Sequence, residues 1–404
     1  MASPLSRRQF AVALVCGPAL IRPAVAQAPS SPAWLAIEKA ARGQTVYFNA
    51  WGGSARINDY LKWAAAEVAR LHGVTVEHVK VTDTADVVKR VRTEKSAGRL
   101  QGGSVDLVWI NGENFLAMKR EGLLFGPFAE SLPSYVGVDT VGKPTTRLDF
   151  SEPVNGMEAP WGMAQLTFYA DSARLPKPPG SMAALLDYAR THPGRISYPR
   201  PPDFMGTTFI KQAWLEHAVD KAALYKPYNA ERFAETTAEL WRFLDELHPH
   251  LWRQGKQFPN NAITIRQMMA DGELHLGLTF NPNEAANEIA AHRLPSAIRS
   301  YQFESGTIGN THFLAIPFNA NASAGAQVFA NFLLSPMAQA RKADIKVWGD
   351  PTVLAIDKLT SADRQLFSQG QQPGQVEQVR PTLPEPHGSW VDPLEKEWVR
   401  RYGR

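Results

Sequence analysis

Four short loops in this sequence gather side chains suited to holding a small molecule. They are Ala50–Ser54 with Trp51, Gly53 and Ser54, Asn111–Asn114 with Glu113 between the amides, Asp203–Thr208 with Phe204, Gly206 and Thr207, and Asn281–Glu284. Glycine lets backbone N–H groups approach a ligand closely, and a helix N-terminus adds donors and partial positive charge. Trp51, Trp161 and Phe204, in or beside these loops, suit an organic ring or an organic cation through stacking or cation–π contact. A single loop of this kind also arises for steric reasons alone, as a turn or a helix cap. Four of them together imply a cleft.

Groups that would make or break bonds are missing from the same survey. The sequence has no G-x-S-x-G elbow, no H-E-x-x-H, no phosphate-binding P-loop and no G-x-G-x-x-G. His248-Pro249-His250 is the one tight histidine pair, but Pro249 ends the preceding helical pattern and no Asp, Glu or Cys cluster lies near it. It reads as a solvated helix end. Asp83 and Asp86 read as helix-start residues. These observations predict a binding protein with no metal, no cofactor and no catalytic residue.

The elements that must position the loops are legible from periodicity. A strand at Thr45–Asn49 ends in the Gly-Gly turn, and a helix follows with Ile57, Tyr60, Leu61, Ala64, Val68 and Leu71 on one face and Gly73 as its stop. Strand Thr75–Val79, helix Asp86–Ser96 and the apolar run Val105–Ile110 complete a strand–helix alternation that predicts a parallel sheet. The pattern restarts after Gly162–Ala170. It predicts a helix at Met182–Thr191, a strand at Arg195–Tyr198, a helix after "PRPPDFMGTTF", a helix at Ile265–Asp271 with Thr264 and Gln267 as a capping box, and strand Leu274–Phe280. The β run His312–Pro317, helices Ser323–Leu334 and Pro336–Ala343, an irregular Pro/Gln-rich stretch Gln371–Gly388 and a last helix at Pro393–Arg401 close the chain. The predicted class is α/β with two lobes, residues 34–163 with 301–404 forming one and 164–300 the other. In open parallel sheets ligands bind beyond the carboxyl ends of the strands, where all four loops fall.

Length and charge agree with this. The chain has 404 residues, enough for two domains, and 44% hydrophobic residues. Its N-terminus reads as an export signal: Arg7-Arg8 before Phe10, an apolar segment Ala11–Leu20, then Ala24-Val25-Ala26, with cleavage near Ala26. The paired arginines point to twin-arginine export into the periplasm, the alternative being an ordinary secretory signal that carries two arginines. The only cysteine, Cys16, lies inside this segment, so the exported chain would carry no disulfide. Of the 43 Lys+Arg, Arg7, Arg8 and Arg22 lie there, against none of the 39 Asp+Glu, so the remainder is one charge from neutral. Nucleic-acid and membrane-surface partners are not expected.

The export signal, the two α/β lobes and the segments "FNAWGGS", "DLVWINGENF", "APWGMAQLTFYAD", "PPDFMGTTF" and "LTFNPNEA" together resemble the periplasmic solute-binding proteins of ABC importers. The resemblance is stronger to the YnjB-type branch, itself distantly similar to thiamine- and polyamine-type binders. It implies a type II binding-protein fold that closes on its ligand by hinge motion, a monomer serving an inner-membrane permease. It also implies ligand contacts from Trp51, Gly53, Ser54, Asn111, Glu113, Asn114, Trp161, Gln165, Phe204, Gly206, Thr207, Asn281 and Glu284, with Asn310 and Trp348 as weaker candidates. Ferric-binding relatives use an adjacent tyrosine pair, and no Tyr-Tyr occurs here, which argues against bare ferric iron. The candidate loops carry Glu113, Asp203 and Glu284 but no Lys or Arg, which favours a small organic cation or an amine-bearing heterocycle over an anion. Two alternatives remain open, a ligand-sensing protein that signals to a receptor and an exported cofactor-binding enzyme.

Overall fold

The computed structural model describes residues 31–368, 374–376, 378 and 380–403. The export-signal reading and part of the Pro/Gln-rich stretch lie outside the described residues. Strands β1 (Thr45–Trp51), β2 (Thr75–Val81) and β3 (Leu107–Ile110) run parallel with β1 central, Thr45 opposite Thr75 and Phe48 opposite Leu107. The buried runs in β1 and β3 follow from helices covering both faces. Helix α1 (Ala55–His72) starts where the Ser54 hydroxyl accepts the Ile57 N–H and stops at Gly73, left-handed at φ 66°, whose N–H returns to the Ala69 carbonyl. Its buried stripe is Ile57, Tyr60, Leu61, Ala64 and Val68; Leu71, expected on that stripe, lies beyond the edge of the core and is exposed.

Two adjacent strands carry the chain between lobes. Strand β4 (Glu158–Gln165) pairs antiparallel with β8 (Thr307–Ala315), which in turn pairs antiparallel with β3, so the first sheet is mixed. One residue past β4, strand β5 (Thr167–Asp171) becomes the centre of a second sheet between β6 (Leu276–Thr279) and β7 (Ile298–Tyr301). Both neighbours are antiparallel to β5. The strand expected at Arg195–Tyr198 is not in this sheet. It runs as extended chain, with Arg195 and Ile196 carbonyls accepting from His275 and Trp252 N–H groups. Pro199, Pro201 and Pro202, directly after it, lack the donors a ladder requires.

The apolar core divides the same way. One cluster is built around β1, α1 and the helix Ser323–Leu333, a second around β5 and the helices of residues 182–270, and a smaller third, around β3 and the helix Thr84–Ser96, lies on the side of the first. The C-terminal helix Val391–Tyr402, expected with the first lobe, joins the second cluster through Trp390, Leu394 and Trp398. Trp398 donates its indole N–H to the Tyr198 hydroxyl, which also bonds His248 Nε2 at 2.7 Å. His248 is thus a buried anchor, not a solvated helix end, and burial lowers its pKa to about 3. At the helix Ala262–Ala270 the cap is Asn261, accepting the Thr264 N–H, where a Thr264–Gln267 box was expected. No helix among the described residues is long and apolar enough to cross a membrane.

Candidate ligand cleft

The lobes face each other along two contact regions. The first is built on helix α2 (Phe204–His217), whose start is fixed by the Asp203 carboxylate accepting the Met205 and Gly206 N–H groups. Every residue from Met205 to Leu215 is buried, including Lys211 at 2% exposure. The Lys211 ammonium lies 2.7 Å from Glu385 Oε2, 4.3 Å from the Phe150 ring centre and 5.9 Å from that of Phe204. Phe150 comes from the first lobe, at the tip of a tight hairpin in which it and Ser151 both have positive φ, 43° and 65°. A bulky residue held there costs on the order of 1–3 kcal/mol, so the surroundings fix its position. Gly112 explains part of that fit, because a Cβ there would lie 2.7 Å from the Phe150 ring. The Gly388 N–H donates to the Phe150 carbonyl, and Ser151 Oγ donates to the Glu385 carbonyl.

Carboxyls ring this single cation. Glu113 is exposed at its surface yet sits in a crowded cleft, and that crowding, with Glu385 and Asp83 nearby, raises its pKa against the opposing pull of Lys211. Asp149, whose Oδ2 accepts the Gly112 N–H at 2.6 Å, is raised well above the ordinary range by burial. Burial also raises Glu385 in spite of its ion pair. Glu395 from the C-terminal helix accepts the Thr207 hydroxyl at 2.6 Å and is raised to about 7, mainly by desolvation. Asn310 donates to Glu385 Oε1 at 3.3 Å, and Asn114 donates to Glu113 at 3.1 Å.

The second region is made of neutral amides. Asn281, Asn283 and Asn287 of the second lobe donate to the carbonyls of Trp348 and Gly349 in the first, Asn287 at 2.6 Å. Arg56, two residues past the Ser54 cap, donates to the carbonyls of Lys346 and Asn287 and so ties both sides.

Of the residues expected to hold ligand, Glu113, Asn114, Phe204, Thr207 and Asn310 come together around Lys211. Asn111 begins the helix Gly112–Arg120 with no side-chain cap bond. Trp51 is 39% exposed, with its indole folded over Gly53, where a Cβ would meet the ring at 2.3 Å. Several expectations need correction. Trp161 is fully buried against Phe48, Trp109 and Trp348, so it is core, and Trp348 at 3% exposure joins it. Gln165 is committed to the carbonyls of Arg380 and Pro381. Gly206 is required by packing, since a Cβ would lie 2.2 Å from the Pro199 carbonyl oxygen. Asn281 is spent on the other lobe, and Glu284 is paired with Arg266 at 2.6 Å. Lys211, Glu385, Glu395, Phe150 and Arg266 were not foreseen. The usable signal for Lys211 was a lysine four residues past Thr207, on the same face of the helix as that candidate.

Two mixed α/β lobes joined by paired crossing strands, with polar groups from both converging between them, define a solute-binding protein. Residues 63–355 match the model of the bacterial extracellular solute-binding protein family. The sequence is 49% identical to protein YnjB of Escherichia coli K12 over 370 residues, covering 92% of this chain and 94% of that protein. The chain belongs to the bacterial extracellular solute-binding proteins. Its structure is similar to a spermidine/putrescine ABC transporter protein from Listeria monocytogenes, with TM-score 0.59 and 17% identity over 89% of this chain and 98% of that one. It is also similar to the periplasmic binding protein AfuA of Actinobacillus pleuropneumoniae, with TM-score 0.61 and 15% identity over 89% and 99%. These likenesses place the fold in the type II binding-protein class. The chain is therefore a solute-binding protein of that family and not an enzyme.

Proposed function

We propose that the protein, exported by its N-terminal signal to the periplasm, captures a small organic cation or amine-bearing heterocycle between its lobes by hinge closure. The single observation that carries the reading is Glu113. It is the exposed carboxylate of the cleft, accepting the neighbouring Asn114 amide, and it feels the charge of Lys211, whose ammonium lies 5.9 Å from the centre of the exposed Phe204 ring. A cleft that offers both a carboxylate and an aromatic face has the chemistry that recognises ammonium groups. Two of the three acids first counted do not contribute, because Asp203 caps a helix and Glu284 is neutralised by Arg266. The lobes would swing about the crossings at Leu166 and residues 302–306, with residues 34–163 and 307–355 on one side.

The test is titration calorimetry of the exported protein against amines, thiamine derivatives, amino acids and oxyanions. An amine-bearing ligand should bind, and Glu113→Gln should weaken it about tenfold or more, the scale for losing a partly desolvated charge partner. Tight binding of an anion that Glu113→Gln leaves unchanged would refute the reading.

A further inference from the structure

The groups around Lys211 restrict the ligand more than a plain preference for cations. An ammonium has three N–H donors. Among the described residues, Glu385 is the one carboxylate in contact with Lys211 Nζ, and the faces of Phe150 and Phe204 occupy other directions. The lysine is 2% exposed, so water does not serve the remaining donors freely. Its cover is Phe150, which is packed on Gly112 of the opposite lobe, so separating the lobes would uncover the ammonium. Two carboxyls stand beside it with light commitments: Glu113 holds one amide and Glu395 one hydroxyl. The cleft therefore holds one buried cation, a carboxylate committed to it, and two further carboxyls, Glu113 and Glu395, close enough to feel its charge.

A ligand with positive charge at both ends would bring one of them against Lys211, in a place too dry to screen the repulsion. A ligand that carries an amine and, a few bonds away, a carboxylate or carbonyl satisfies both the lysine and the carboxyls. We propose that the ligand is a small zwitterion or amine-carbonyl compound, its amine facing Glu113 and Glu395 and its acceptor taking the free donors of Lys211. This rests on the cation reading above and narrows it: Lys211 sets specificity by rejecting simple diamines.

The experiment uses three probes of equal chain length on the full exported protein, 4-aminobutanoate, 1,4-diaminobutane and butanoate, in thermal shift at high millimolar concentration and then calorimetry. The zwitterion should bind about tenfold or more tighter than the diamine, as expected when one charge is left opposed. Lys211→Met risks misfolding because it strands Glu385, so the neutral pair Lys211→Met with Glu385→Gln is the deciding variant. It should erase or invert the preference. Equal or tighter binding of the diamine by the unaltered protein overturns this inference and leaves the cation reading standing. Binding of butanoate alone overturns both. No response to any of the three counts against the inference, since a site of this design should take its smallest ligand at high concentration, and the cation reading would then stand or fall on the larger amines.

Discussion

The two regions where the lobes meet use opposite chemistry. Around Lys211 the contacts are charged and buried, and the carboxyls are shifted upward. Around Trp348 and Gly349 they are amide-to-carbonyl bonds from three asparagines, aided by Arg56. The asparagine bonds involve no group that titrates, so this edge holds the same geometry at any moderate pH. The lysine edge gains and loses strength with protonation and reads the charge of whatever lies beside it. Under the proposed reading, one edge of the cleft aligns the lobes while the other would discriminate between solutes.

That division can be broken by substitution. Lys211→Met should cost the most, about 3–5 kcal/mol, because it leaves Glu385 buried without a partner. Adding Glu385→Gln should recover most of the loss. Urea unfolding measures both, and a single-variant cost below about 1 kcal/mol would show that the pair is solvated.

A smaller effect is expected at Glu395. Its folded pKa of about 7 lies above the ordinary glutamate value, so its favourable contribution is complete at acid pH and is lost as pH rises through 7. Stability should fall between about pH 4.5 and 7 by roughly 1–3 kcal/mol on this account, and Glu395→Gln should flatten that slope. An unchanged slope in the variant would assign the pH dependence to other carboxyls. Asn287→Ala, on the other edge, should cost about 1–2 kcal/mol for a buried hydrogen bond, equally at pH 5 and pH 8. A cost that varied with pH would contradict the contrast between the edges.

Local signals accounted for much of the fold. Ser54 and Gly73 bound their helix as their residue types require, and the apolar run ending at Ile110 formed the buried strand it suggested. The second lobe was harder to read, because Ile196 and Tyr198 have strand-like composition while the prolines after them forbid a ladder. Half of the candidate site was visible in Glu113, Asn114, Phe204 and Thr207, which lie in the first turns of two helices, and in Asn310, within β8. Lys211 was hidden inside a helix whose polar residues, Thr207, Thr208 and Gln212 among them, are all buried, so no exposed face marked it. Glu385 and Glu395 arrive from a segment whose destination only tertiary packing decides. Trp161 misled in the opposite direction. It adjoins Gly162, where a Cβ would lie 2.2 Å from Asp350 Oδ2, so the glycine makes room for the buried Lys342–Asp350–His312 cluster. An aromatic beside such a glycine serves the core.

The position of the tail bears on how the lobes can move. Gln165 holds the carbonyls of Arg380 and Pro381, and Thr382–Leu383 pairs in parallel with Thr307–Ile308. The third passage of the chain between the lobes is therefore bound alongside the first two. Three tethers spread around the interface would lock it, but three gathered at one edge act as the spine of a book. In the proposed hinge closure the covers would swing while twist and sliding are resisted, so a solute entering from the far edge would meet one reproducible path of approach.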